Sequence, residues 1–205
     1  MKQFLLTSCF ALFLFSCTKK ETPPLTPNSI VGYSISDYTK LTVGNYWIYE
    51  IMNVDTLGHA TLEEIDSCYI SKDSVVNGNT YAVVVDASPT SINIQLERDS
   101  TYCLVNQQGA ILFAYGDFNA VLVKDTIPDT ASTKYSVSSI PSIIAVPMGT
   151  FTCYNYKGTN ISYILHRTRY TDAYYSLNAG MVELVTGLYD DSNTIQYWLL
   201  RSHVR

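Results

Sequence analysis

From about Leu41 to Arg205 no stretch of a dozen residues places its apolar side chains at i, i+3 and i+4, while short segments alternating apolar and polar residues recur between turn signals. A period of two is the mark of half-buried strands and argues against a helical body. The predicted strands are Tyr46–Asn53, Thr61–Val76, Thr80–Ala87, Ser91–Asp99, Thr101–Asn106, Ala110–Tyr115, Ala120–Val123, Lys134–Ser138, Thr150–Lys157, Ile161–Arg169, Ala173–Leu177, Gly180–Leu188 and Thr194–Val204. Their Tyr, Val, Ile and Thr content fits a pleated surface.

Turn chemistry separates them. Asn77-Gly78 lies between Val75-Val76 and Thr80-Tyr81, the strongest short hairpin signal in the chain. Gln107-Gln108-Gly109, Lys157-Gly158-Thr159-Asn160 and Asp190-Asp191-Ser192-Asn193 read as further reversals. Consecutive hairpins give an antiparallel meander, because parallel pairing needs crossovers of a dozen residues or more. A sheet of this many strands must curl, close or split. The expected fold is therefore all-β: one antiparallel meander domain over residues 41–205, a curved half-barrel or barrel, with a two-sheet sandwich as the alternative. Asp125 to Pro147, with Pro128, Pro141 and Pro147, reads as a long loop, or else as an edge strand or lid.

The first residues obey other rules. After Met1-Lys2-Gln3 an apolar run extends from Phe4 to Phe15, too short to span a bilayer core that needs roughly 20 helical residues. Residues 1–16 therefore read as a signal peptide. Its close, Leu14-Phe15-Ser16-Cys17, resembles the bacterial lipobox. In that family the cysteine is acylated and becomes the first mature residue, which makes Cys17 the lipidation site and the membrane the first expected partner. Buried acyl chains at roughly 0.8 kcal/mol per CH₂ hold a protein on a bilayer when there is more than one of them. Residues 17–40 follow as a polar, Pro- and Thr-rich tether. The start Ser-Cys-Thr-Lys-Lys-Glu resembles exported lipoproteins of the Bacteroidota, which implies the cell envelope. The expected address is the outer membrane with the domain facing the periplasm, surface exposure being the alternative.

A second resemblance spans most of the mature chain. Tyr38-Thr39-Lys40-Leu41-Thr42-Val43-Gly44-Asn45-Tyr46-Trp47-Ile48-Tyr49 resembles the Tyr-x-Pro-Leu-x-x-Gly-x-x-Trp-x-Tyr opening of a group of exported Bacteroidota proteins, with Lys40 in place of Pro. Pro147-Met148-Gly149-Thr150-Phe151, and Tyr174-Tyr175 followed by Gly180-Met181-Val182, resemble that group's closing half. The group implies an all-β fold and carries no agreed activity. On the first strand, Trp47, Tyr49 and Ile51 face opposite to Tyr46, Ile48 and Glu50.

No catalytic signature stands out. A net charge of −5 without long Lys/Arg runs excludes nucleic acid as a partner. Gly32-Tyr33-Ser34-Ile35-Ser36 fails as a nucleophile elbow at its last residue, and His59, His166 and His203 are the only imidazoles. Glu63 and Glu64 point to opposite faces of a strand, and Asp190-Asp191 lacks the spacing of a calcium loop. No cofactor and no metal is expected. Arg201, His203 and Arg205 share one strand face, as do Arg167 and Arg169; if those strands were neighbours they would form an anion patch. With Cys17 committed to lipid, Cys68, Cys103 and Cys153 remain as buried thiols, or with Cys68–Cys103 as the pair.

Two patterns remain. Asp-Ser/Thr followed by an apolar residue or Thr recurs around Thr56, Ser74, Ser100, Thr126 and Thr130 and resembles the O-glycosylation acceptor of Bacteroidota exported proteins; turn preference explains the same pairs. Among 17 tyrosines, Tyr154 and Tyr156 share a strand face, with Tyr163, Tyr175 and Trp198 on later strands. Rings with polar tips fit a cavity for a small molecule, lipid or glycan, and fit core packing too. The expected function is thus a noncatalytic envelope binder of an apolar or amphipathic ligand or a glycan, the alternative being a structural or protein-interaction component. Carboxylates or histidines converging on one cavity would instead point to a hydrolase.

Overall fold

A computed structural model describes residues 33–115, 123–127, 131–187 and 193–205. One short helix, α1 (Ser36–Thr39), precedes the strands β1 (Tyr46–Val54), β2 (Ala60–Val76), β3 (Asn79–Ala87), β4 (Ile92–Ser100), β5 (Cys103–Asn106), β6 (Ile111–Ala114), β7 (Val123–Ile127), β8 (Ala131–Val137), β9 (Ser142–Val146), β10 (Gly149–Ser162), β11 (Arg167–Ser176), β12 (Gly180–Gly187) and β13 (Thr194–His203). They form a single sheet in the order β6-β5-β4-β3-β2-β1-β13-β12-β11-β10-β8-β7, with β9 added on β10. Every pairing is antiparallel. The sheet curls into a half-barrel rather than a sandwich.

Particular side chains close the curl. The β5–β6 end folds over onto β10 and β11, where Phe113 stacks on Tyr175 at 4.0 Å between ring centroids and the Tyr156 hydroxyl donates to the Ile111 carbonyl at 2.8 Å. Ile35, just before α1, and Tyr38, within it, are buried in the same aromatic cluster, Tyr38 stacking on Tyr115 at 4.5 Å. Successive hairpins make strand directions alternate. One end of the half-barrel therefore carries α1, the β2–β3 turn and the C-terminus, and the other carries the β1–β2, β3–β4 and β10–β11 turns.

The face assignment on β1 holds: Trp47, Tyr49 and Ile51 are buried, whereas Tyr46 is exposed. The Asn77-Gly78 reversal holds as well, both residues having positive φ (51° and 77°), which is the left-handed pair that a two-residue hairpin turn requires. The Lys157-Gly158-Thr159-Asn160 reversal does not. These residues lie inside β10, and the turn comes later, at residues 163–166. Gly158 instead makes room: a Cβ there would sit 2.7 Å from Tyr135 Cε1, so the glycine lets the cross-strand ring of Tyr135 lie flat over β10. The long-loop reading of residues 125–147 gives way to its edge-strand alternative, since β7, β8 and β9 occupy most of the segment, β7 ends the sheet, and β8 overlaps the predicted strand Lys134–Ser138. Pro141 and Pro147 border β9 rather than interrupt it, as residues without a backbone N–H should. Asp190 and Asp191 lie outside the described residues.

Candidate functional site

The curl encloses a cavity of about 370 Å³, its wall built by Trp47 and Tyr49 of β1, Ile70 of β2, Leu104 of β5, Tyr156 of β10 and Tyr175 of β11. These positions alternate with outward ones, so hairpins distant in sequence deliver their rings to one space. A second space of about 380 Å³ adjoins it, and Tyr49, Cys68, Asp86, Gln95, Met181 and Leu184 line both. They are two lobes of one interior. The first is apolar and aromatic, while the second adds Glu64, Asp66, Ser88, Ser91 and Asn93 and lies toward the end of the half-barrel opposite α1.

Polar groups enter this interior at every second residue. Asp66 and Cys68 come from β2, Asp86 from β3, and Gln95 and Glu97 from β4. Asp99 continues the row and accepts a hydrogen bond from Thr39 Oγ1 at 2.8 Å. Burial, reinforced by the charges of Asp86 and Asp99, pushes the Glu97 carboxyl up to about 7. Burial also raises Asp86, against the opposing hydrogen bonds of Cys68 and Gln95, and raises Asp99 against that of Thr39. Among the described residues, no Lys, Arg or His lines either lobe and no group of three or more His, Cys, Asp or Glu is set to hold a metal.

This arrangement offers hydrocarbon contact at one end and hydrogen-bonding carboxyls, one of them exchanging its proton near neutrality, at the other. Such a pairing suits an amphipathic molecule. Carboxyls of unequal proton affinity are also what acid–base hydrolysis requires. The imidazoles stand elsewhere: His59 in the β1–β2 turn beside Asp55 (3.0 Å), His166 in the β10–β11 turn, and His203 stacked on Tyr46 at 5.8 Å.

The aromatic residues singled out in the sequence divide. Tyr156 and Tyr175 line the cavity, and Tyr156 stacks on Tyr135 at 5.1 Å. Tyr154 is half-buried in the cluster of Tyr38 and Tyr115 beside α1. Tyr163 lies in the β10–β11 turn, and Trp198, whose Nε1 donates to Gln196 Oε1 at 2.9 Å, pairs with Glu50 and Glu183 away from the cavity. Of the inward carboxyls only Glu64 was weighed in the sequence, as one of an adjacent pair; Asp66, Asp86 and Glu97 were not, although a signal was present as Glu64-x-Asp66-x-Cys68 and Gln95-x-Glu97-x-Asp99. Arg167 and Arg169 form no patch with Arg201, His203 and Arg205, because β12 separates β11 from β13 and the two stripes lie at opposite ends.

Among the acceptor tripeptides, Thr56 is exposed in a turn, Ser74 is half-buried within β2, Ser100 ends β4, Thr126 lies in β7, and Thr130 is outside the described residues. Two of the aspartates are engaged: Asp55 Oδ1 accepts from the Leu57 and His59 amides within its own turn, and Asp99 accepts from Thr39, distant in sequence.

Cys68, Cys103 and Cys153 are free thiols, which removes the Cys68–Cys103 pair: Cys68 shares its hydrogen bond with Asp86, and Cys103 is buried on β5. Burial, with the Glu183 charge, pushes Cys153 up to about 12. All three are expected to resist iodoacetamide in the folded chain and to alkylate fully after unfolding without reductant. A thiol still blocked in the unfolded, unreduced chain would contradict this.

No protein-family model and no curated protein matches this chain. Two solved structures of Bacteroidota proteins are similar to it. One is a protein of Bacteroides fragilis NCTC 9343, inferred to be exported and described as YmcC-like in fold, with 13% identity and a TM-score of 0.49 over 81% of this chain and 98% of its own. The other is a protein of Parabacteroides distasonis ATCC 8503 inferred to be a lipoprotein, with 15% identity and a TM-score of 0.46 over 80% of this chain and 97% of its own.

Proposed function

We propose that this chain is a cell-envelope lipoprotein, acylated at Cys17, whose half-barrel binds an apolar or amphipathic ligand without transforming it. The observation that carries this reading is the two-lobed interior, aromatic at one end and carboxyl-lined at the other. Binding comes ahead of hydrolysis because the same carboxyls are set into an apolar wall that fits a ligand's body. Asp86 is moreover tied to Cys68 and Gln95 rather than left free for proton transfer. The membrane address rests on Leu14-Phe15-Ser16-Cys17.

Native mass spectrometry of the mature chain, taken gently from its own envelope and compared with the same sample denatured, tests both parts. A discrete added mass that is lost on denaturation is the expected result, and a bare polypeptide in both samples would overturn the binding reading. The acyl mass on the N-terminal peptide reports on Cys17 separately.

One observation favours a protein-interaction role. Tyr46, Tyr69, Val85 and Ile94 are directly opposite one another across β1, β2, β3 and β4, and Tyr46, Tyr69 and Ile94 are exposed on either side of the buried Val85. Crosslinking in the native envelope through Ile94→Cys decides whether a neighbour covers it.

A further inference from the structure

The β10–β11 hairpin outruns β12 on one side and ends level with β8 on the other. β12 stops pairing with β11 at Thr186 opposite Thr171, but β10 and β11 stay paired down to Ser162 and Arg167, four residues or about 13 Å farther, while β8 follows β10 to Ala131 opposite Ser162, so that only the turn passes the end of β8. At the turn stand three consecutive large apolar residues, Tyr163 (42% exposed), Ile164 (67%) and Leu165 (51%). Turn geometry does not ask for them, since turns favour Gly, Asn, Asp and Ser. Here the reversal is held by the Leu165 amide donating to Ser162 Oγ at 3.2 Å and by the left-handed backbone of His166 (φ 51°).

The hairpin's own charges near its tip are basic: residues 157–171 contain Lys157, His166, Arg167 and Arg169, in a chain whose net charge is −5, and the first acidic residue, Asp172, stands opposite Lys157 at the far end of that stretch. Lys157 lies over the ring of Tyr170 at 5.2 Å, and Arg169 donates to Thr186 Oγ1, so the cations line the hairpin behind an apolar end. An apolar point, amphipathic tyrosines at its base and a basic collar match the order of hydrocarbon, interface and anionic headgroup in a bilayer.

From this geometry we propose that the tip at Tyr163, Ile164 and Leu165 inserts into the interface of an anionic bilayer, with Arg167 and Arg169 at the headgroups. The distances allow this together with an anchor at Cys17. Tyr33 lies sixteen steps along the chain from Cys17, a reach of at most about 55 Å, whereas β10 covers about 30 Å from Cys153, near the α1 end, to Ser162. The anchor at Cys17 rests on the lipoprotein reading; the tip does not. Strand directions also put Ser88, Ser91 and Asn93, at the polar lobe of the cavity, on the tip's end of the half-barrel. A docked tip turns that lobe toward the lipid.

The test places the environment-sensitive fluorophore NBD on Ile164→Cys or, at the other end of the half-barrel, on Val75→Cys, another highly exposed apolar site. Each mature full-length chain is put on vesicles of phosphatidylethanolamine and phosphatidylglycerol. The expected result is that doxyl-labelled lipid quenches the probe at 164 at least twofold while aqueous iodide does not, with the reverse at 75. It is also expected that replacing phosphatidylglycerol by phosphatidylcholine weakens the lipid quenching. A probe at 164 that iodide reaches, or that neither quencher reaches, overturns the proposal. Loss of the acyl group at Cys17 is read independently from the mass of the same sample, so the anchor and the tip fail separately.

Discussion

Trp47→Ala is expected to destabilise the fold by about 4 kcal/mol, within the range seen when a buried aromatic residue is truncated to alanine. Trp47 is buried on β1, and its Nε1 donates to the Ala179 carbonyl at 2.6 Å, across β13 and onto the approach to β12. Tyr49, two residues on, donates from its hydroxyl to the Met181 carbonyl at 2.9 Å. The opening and closing segments noted in the sequence therefore meet: the first strand is latched to the start of β12. Gly180, between those carbonyls, has φ 85°, and a Cβ on it would sit 2.9 Å from Trp47 Nε1. Gly180→Val is expected to cost about 3 kcal/mol, combining left-handed strain on a β-branched residue with displacement of the indole. Because the two changes break one contact, Gly180→Val should cost less in a Trp47→Ala background than alone. Urea unfolding followed by circular dichroism measures all three. A midpoint for Trp47→Ala equivalent to under 1 kcal/mol of loss, or strict additivity in the double variant, would contradict the latch.

What the sequence could show was whatever depends on local alternation. β1, β2 and β3 were read almost to their ends because strict alternation and Asn77-Gly78 act over a few residues. Gly158 misled because a glycine between polar residues looks the same whether it turns a chain or admits a ring from the neighbouring strand; only the β8 pairing distinguishes them. Of the strands between residues 123 and 146, β8 was legible in part as Lys134–Ser138, whereas β9 was hidden by Pro141 and Pro147, which border it. The cavity was half legible. Tyr156 and Tyr175 stand out by their amphipathic rings, but Asp86 and Glu97 do not stand out, because nothing local says which face of β3 and β4 is the inner one. That face is decided by the curl, in which Phe113 and Tyr175 meet although they are 62 residues apart (175 less 113).

Glu97→Gln is expected to stabilise the protein by about 2 kcal/mol at pH 8 and to leave it nearly unchanged at pH 4. Among the described residues no cation lines the cavity beside Glu97, and its carboxyl stands at about 7 against an ordinary 4.5, so the folded state holds a proton that the unfolded chain has released over that interval. Where the native state binds more protons than the unfolded one, stability falls as pH rises, and here the fall runs from roughly the unfolded value to the folded one. A full shift of this size corresponds to about 3 kcal/mol, and partial contact with solvent in the open cavity reduces it. Glutamine keeps the shape and hydrogen-bonding capacity without the charge. Asp86 and Asp99, both raised by burial, act in the same direction at lower pH, so the wild type should pass its maximum stability on the acidic side of neutrality. Thermal midpoints from pH 4 to pH 8 make the comparison, with about 2–4 °C expected per kcal/mol for a chain of this length. Parallel curves for the two proteins would mean that Glu97 does not carry this proton. Curves that converge below pH 5 and separate above pH 7 would tie the protonation of the cavity to Glu97, and any ligand that donates a hydrogen bond or a positive charge to that carboxyl should then narrow the gap at pH 8.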